Sequence, residues 1–157
     1  MVKRSIYSFI LTVLLLMLYT SCDTKTIYDD NLTIPEETWL STMPAYFNVE
    51  ITDTLTYNTL YLKISNTVNY QYQNIYFFIT LFFPNGQVAR DTVNCDLANN
   101  YGEWYGTGMG KTKTLQVPYR KNFLFPYTGN YKFYIEQAMR ADTLKGIKAI
   151  GLKIKQE

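Results

Sequence analysis

Ile75-Tyr-Phe-Phe-Ile-Thr-Leu-Phe-Phe83 carries apolar side chains on both alternations, and Pro84-Asn85-Gly86 follows it directly. A run this short, rich in β-branched and aromatic residues, reads as a strand rather than a helix. Apolar residues on both faces predict a central strand covered on both sides or nearly so. Pro84 fixes φ and Asn85-Gly86 tolerates positive φ, so a tight turn is expected there, with 87–93 returning as the partner strand. Upstream, Phe47, Val49 and Ile51 alternate with Asn48, Glu50 and Thr52, the mark of a half-buried strand. Leu60, Leu62 and Ile64 share one face of the next strand, with Tyr61 and Lys63 on the other. Downstream, strand signals return at 113–117, in a short apolar piece at 122–125 between Pro118 and Pro126, at Tyr131, Phe133 and Ile135, and at 147–154. Gly151 inside the last of these signals a bulge or a close backbone approach. No amphipathic helix is evident. The pattern predicts an all-β fold, a single antiparallel β-sandwich of about seven or eight strands, immunoglobulin-like or jelly-roll.

Composition narrows the chemistry. The 157 residues are 47% hydrophobic, 17% aromatic and 18% charged, which is globular. Lys and Arg number 15 against 13 Asp and Glu. Removing Lys3 and Arg4 with a cleaved leader leaves the two signs equal, so the basic face of a nucleic-acid binder is not expected. There is no histidine. Serine–histidine triads, histidine metal sites and histidine proton shuttles are therefore excluded. Two cysteines cannot build a cysteine-rich zinc site, and no Asp-x-Asp-x-Asp-Gly calcium loop is present. No metal and no cofactor are expected.

Met1-Val2-Lys3-Arg4 is a basic start, and the apolar run that follows is shorter than the ~20 residues of a membrane span. This is the layout of a secretory signal. Leu18-Tyr19-Thr20-Ser21-Cys22 resembles a bacterial lipobox, in which small residues precede a cysteine that is acylated and becomes the first residue. Residues 1–21 are expected to be a lipoprotein signal peptide. Residues 22–35, polar and without strong pattern, are expected to tether the lipid on Cys22 to a sandwich domain at 36–157. Anchoring on more than one acyl chain is effectively stable. Cys95 is then alone, and its expected state is a free buried thiol.

Gly102-Glu-Trp-Tyr-Gly-Thr-Gly-Met-Gly110 is the most unusual stretch. A strand follows it rather than a helix, so it is no phosphate loop. One reading is a glycine-permitted bend with Trp104 packed over it. The other is a partner-facing loop at Gly102, Trp104, Tyr105, Gly106, Gly108 and Gly110, because Trp and Tyr dominate binding hot spots. The many tyrosines suit a half-wet pleated surface, or an aromatic platform for sugar rings. Gln137 and Arg140 close a strand as candidate structural or interface residues, Arg140 as a clamp on a loop carbonyl or a carboxylate. Close carboxylates such as Asp91 and Asp96 fall short of a glycosidase signal.

These pieces form one picture. The chain resembles the gliding-motility lipoprotein GldH family of the Bacteroidota across 46–155. The resemblance rests on Phe47-Asn-Val-Glu-Ile-Thr-Asp53, Tyr57-Asn58, Tyr72-Gln-Asn-Ile-Tyr-Phe77, Pro84-Asn-Gly86, Asp91-Thr92, Leu97-Ala98 and the glycine run. It continues in Phe125-Pro126, Gly129, Tyr131, Phe133, Gln137-Ala-Met-Arg140, Leu144, Gly146-Ile147 and Ile150-Gly-Leu152. The resemblance implies an envelope lipoprotein needed for gliding and associated with type IX secretion, with no catalysis and no catalytic residues to carry over. The expected setting is the outer membrane, with membrane contact through the lipid and other envelope proteins as partners. The competing expectation is a surface glycan-binding lipoprotein.

Overall fold

A computed structural model describes residues 25–157. The signal peptide expected at 1–21 and the lipidation point Cys22 lie outside the described residues.

The described chain is all β. Ten strands run β1 (Thr26–Thr33), β2 (Thr38–Leu40), β3 (Ala45–Ile51), β4 (Asn58–Thr67), β5 (Asn74–Phe82), β6 (Val88–Asp96), β7 (Thr112–Phe123), β8 (Gly129–Gln137), β9 (Thr143–Lys145) and β10 (Ile147–Gln156), with one short 3-10 turn at Pro35–Glu37. They form two four-stranded sheets, β1-β10-β4-β7 and β3-β8-β5-β6, and a small β2-β9 ribbon. Every pairing is antiparallel. The two large sheets pack face to face. Phe47, Val49 and Ile51 from β3, Leu60, Leu62 and Ile64 from β4, Ile75, Phe77 and Ile79 from β5, and Ile150, Leu152 and Ile154 from β10 interlock as the core. The antiparallel sandwich expected from period-two patterning is the fold observed.

Three expectations change in detail. Residues 26–33 are not tether but strand β1, hydrogen-bonded along β10 from Thr26 to Thr33. Its acids and amides hid it, because its place is secured by backbone pairing and little side-chain burial. Tyr28 is its main core contact, edge-on to Phe47 with ring centroids 6.4 Å apart. β5 is central within its sheet, yet only Ile75, Phe77, Ile79 and Leu81 are buried. Its other face, with Tyr76 and Phe82, is open to solvent. Finally, Pro118 does not end a strand. β7 continues through it because β7 is an edge strand, and the register shifts there between Leu60 and Tyr61. An edge position and a bulge are where a residue without N–H is tolerated.

The Pro84-Asn85-Gly86 turn joins β5 to β6 as expected, with Gly86 at φ 87° and its N–H donated to the Phe83 carbonyl at 3.0 Å. Gly151 is a close approach: a Cβ there would stand 2.2 Å from Asn31 Oδ1 and 2.8 Å from the Asp30 carbonyl.

Strand directions give the sandwich two distinct ends. At one lie Lys25, Glu157, the 52–57 loop, the β5–β6 turn and the 124–128 loop. The Gln156 N–H bonds the Lys25 carbonyl there, and the Glu157 N–H bonds the Tyr57 carbonyl. We call this the terminal end. The other, the loop end, holds 68–73, 97–111 and the β8–β9 connection. β10, ten residues long, spans about 30 Å between them.

Candidate functional site

The loop end gathers the unusual sequence. The 97–111 segment folds back on itself through isolated bridges, Ala98 to Trp104 and Thr107 to Thr114. Asn99 organises its tip. The Asn99 Oδ1 accepts from the N–H groups of Tyr101 and Glu103 at 2.9 and 3.0 Å, and Nδ2 donates to the Glu103 carboxylate at 2.7 Å. Gly102 completes the turn at φ 81°. Gly106 and Gly108 let the returning chain lie against β7; a Cβ on Gly108 would stand 2.5 Å from the Thr112 carbonyl oxygen. Gly110 turns the chain into β7.

The loop is packed on one side and open to solvent on the other. Trp104 is half-buried against the core, as the packed bend requires. Tyr105 is 55% exposed, Tyr101 91% and Met109 95%, so the outer side offers apolar surface. Tyr101 and Tyr105 flank a pocket of about 350 Å³ with Asn74, Asp96 and Asn99.

A second and larger hollow, about 490 Å³, lies between Tyr72, Tyr76 and the turn Ala138-Met139-Arg140-Ala141. Gln137 shapes it. This side chain is buried; its Nε2 donates to the Ala141 carbonyl at 2.9 Å, and its Oε1 accepts the Met139 N–H at 2.9 Å. The Ala138 N–H then reaches the Tyr76 carbonyl at 2.8 Å. The clamp expected of Arg140 is thus made by Gln137. Arg140 itself stands exposed on the rim, with no ion pair among the described residues.

The hollow runs on past Tyr72 and Ala141 into a neighbour lined by Gln71, Thr143 and Lys145. β9 borders this stretch. Gly146 N–H bonds the Glu37 carbonyl at 2.7 Å, and Ser41 N–H bonds the Asp142 carbonyl at 2.8 Å. By antiparallel alternation, the main-chain groups of Thr143 and Lys145 point away from β2. The groove thus combines tyrosine walls, two cations and an open strand edge. Sequence reasoning missed Tyr72, Tyr76 and Lys145 as groove residues, because they meet only through the β4–β5 and β8–β9 connections.

The outer face of the second sheet carries an aromatic row. Tyr46 packs edge-on to Tyr134 at 5.0 Å, and Phe82 packs edge-on to Tyr134 at 5.1 Å. Reactive groups are few. Burial, with Asp96 adding to it, pushes the Cys95 thiol up to about 11, the opposite of an activated nucleophile. Among the described residues no cluster of acids and cysteine could hold a metal.

The sequence profile of the GldH lipoprotein family matches residues 26–154. The chain belongs to the GldH lipoprotein family. It is 32% identical to the gliding motility lipoprotein GldH homolog of Christiangramia forsetii, over 98% of each chain. It is 26% identical to the gliding motility lipoprotein GldH of Flavobacterium johnsoniae, over 90% of this chain and 91% of that one. The match begins at the first residue of β1, so the family domain includes the strand that the sequence pattern hid. Membership makes the chain a lipoprotein of the cell envelope. Among solved structures, a carbohydrate-binding module specific for non-crystalline cellulose overlays with a TM-score of 0.45 at 8% identity, over 82% of this chain and 73% of that one. A superposition that loose carries no argument about ligand.

Proposed function

We propose that this chain is a non-enzymatic outer-membrane lipoprotein, acylated at Cys22, that docks envelope proteins of the gliding and type IX secretion apparatus. The observation that carries the reading is the loop end. There a tyrosine-walled groove, a cationic rim at Arg140 and Lys145, and the apolar tip of the glycine loop stand side by side. Aromatic and Arg side chains at a concave surface are the ingredients of a protein-binding hot spot. The lipid supports the role physically, because confinement to a membrane raises the effective concentration of the domain for membrane partners. The absence of histidine and the raised Cys95 thiol support a binding role over a catalytic one.

The test is the secreted proteome of a deletion strain. Proteins with type IX export signals are expected to leave the medium and to return with a wild-type copy. A copy carrying Tyr72→Ala and Arg140→Glu is expected to reach the envelope in normal amount and fail to restore them. Secretion that persists in the deletion strain overturns the reading. Restoration by the double variant overturns the groove as its docking surface.

A second reading, glycan binding, draws on the Tyr46–Tyr134–Phe82 row. A glycan-array signal abolished by Tyr134→Ala would favour it over protein docking.

A further inference from the structure

We propose that the terminal end of the sandwich rests directly on the bilayer, with Leu55 and Tyr57 at the lipid–water interface, and that the groove end consequently projects away from the membrane. The inference rests on the reading of Cys22 as the lipid anchor and goes beyond it by fixing how the domain stands.

The first support is covalent reach. The Lys25 carbonyl is hydrogen-bonded to the Gln156 N–H at the terminal end, and β1 follows at once. Lys25 stands three positions after Cys22 in the sequence, and three residue steps span at most about 11 Å. A lipid on Cys22 therefore holds the terminal end within that distance of the headgroups, and the long tether expected from composition is not there to lift it.

The second support is what this end displays. The Asp53 carboxylate accepts the Leu55 N–H at 2.8 Å and the Thr56 hydroxyl, which shapes the tip of the β3–β4 loop. At that tip Leu55 is 87% exposed, and Tyr57 beside it is 55% exposed. Leu124 and Tyr127, in the 124–128 loop, are exposed at the same end. One exposed leucine is ordinary on a soluble surface. Leucine and tyrosine grouped where the chain must meet lipid are not, because tyrosine is favoured at headgroup depth and leucine below it.

The third support is the asymmetry of the molecule. The glycine loop, the groove and the Arg140 rim all lie at the opposite end, about 30 Å along β10. Seating the terminal end on lipid leaves each of them accessible to a partner.

The experiment uses the full-length acylated protein in phosphatidylethanolamine–phosphatidylglycerol vesicles that contain nitroxide-labelled lipid. Leu55→Cys and, separately, Met109→Cys carry an environment-sensitive fluorophore; both sites are exposed, and buried Cys95 stays unlabelled. The label at 55 is expected to lose at least half its emission to the nitroxide lipid and to be shielded from aqueous iodide. The label at 109 is expected to show the reverse. Protein that floats with the vesicles while both labels are equally open to iodide overturns the seating and leaves the anchor reading standing. Protein whose intact mass shows no acyl group and that fails to float overturns the anchor reading, and the seating with it.

Discussion

Arg120 of β7 reaches Asp91 of β6, Nη2 to Oδ2, at 2.6 Å. The two strands are edge strands of opposite sheets, so this pair closes one open side of the sandwich. Asp91 pairs with Ile79 and shares its strand face with Ala89, Val93 and Cys95, which puts a carboxylate on the core-facing side of its strand. An inward charge on an edge strand discourages pairing with another chain. Here it is also satisfied, since the Tyr119 hydroxyl donates to the same oxygen. Asp91→Ala is expected to cost about 2 kcal/mol, more than the typical exposed ion pair, because Tyr119 and Arg120 both lose a partner. Tyr119→Phe alone should cost about 1 kcal/mol. Urea titration of the two single variants and the double variant checks this, and strictly additive losses would mean the groups act separately.

The two tryptophans should differ in stability. Trp39, on the short strand β2, is fully buried, tilts against Phe77 at 6.0 Å and donates its ring N–H to the Met43 carbonyl at 2.6 Å. Trp39→Ala is expected to cost at least about 3 kcal/mol. Trp104 is only half-buried, so Trp104→Ala should cost about 2 kcal/mol, roughly half of a fully buried ring. Thermal melts of both variants give the comparison; a larger loss at Trp104 would contradict the packing described.

The strands that were legible in the sequence are those that bury one face. Phe47-Val49-Ile51 and Leu60-Leu62-Ile64 alternate because the sandwich has one wet side and one dry side. β1 was not legible, because Asp29, Asp30 and Asn31 are held by backbone pairing to β10. β2 and β9 are three residues each, too short for any period, although Trp39 and Leu144 within them are fully buried. In the candidate site, the glycine loop showed in composition alone. The groove did not, because Tyr72 from the β4–β5 connection, Arg140 from the β8–β9 connection and Lys145 from β9 meet only in three dimensions. Gln137 was legible as a residue of interest, but a buried amide bracing a turn leaves no periodic trace.

Gly151 should be intolerant of the smallest side chain. A methyl group there meets Asn31 Oδ1 and the Asp30 carbonyl on β1, and Lys63 Cε at 3.0 Å on β4. Backbone cannot yield as a side chain can, so Gly151→Ala is expected to cost about 2–3 kcal/mol. The damage should concentrate in β1, the edge strand. Hydrogen exchange of residues 26–33 should accelerate far more than that of β4, and equal acceleration in both would argue against edge release.

Stability should fall in alkali partly through Cys95. Its thiol keeps its proton up to about 11 in the folded chain, against an ordinary value of 9.0. Between those values the folded state binds more protons than the unfolded state, so raising pH favours unfolding. The contribution is whole below pH 9 and is lost as pH rises through about 11. It amounts to about 2–3 kcal/mol at 1.36 kcal/mol per unit. Buried Tyr70 and half-buried Tyr119, also shifted upward chiefly by burial, add a further loss above pH 10. Cys95→Ala should keep the tyrosine loss and remove the cysteine loss. Urea midpoints at pH 8.5 and 10.5 distinguish the cases, and identical pH dependence in both proteins would show that Cys95 titrates normally.

Gln137 and Arg140 sit three residues apart and should fail in different ways. Gln137 is buried and makes two hydrogen bonds that shape the 138–141 turn. Gln137→Ala leaves the Ala141 carbonyl and the Met139 N–H without that partner, at an expected cost of about 1–3 kcal/mol. Arg140 is exposed, so Arg140→Glu should leave stability within about 0.5 kcal/mol. If the groove binds an envelope protein through an acidic group, the charge reversal lowers affinity at unchanged fold, and the loss deepens as salt is reduced. The Gln137 variant instead loses binding together with stability, because the wall carrying Met139 and Arg140 loses its brace. Pull-down of envelope proteins at two salt concentrations, set beside melting curves, separates the effects. Arg140→Glu that binds like wild type at low salt would remove the cationic rim from the docking surface.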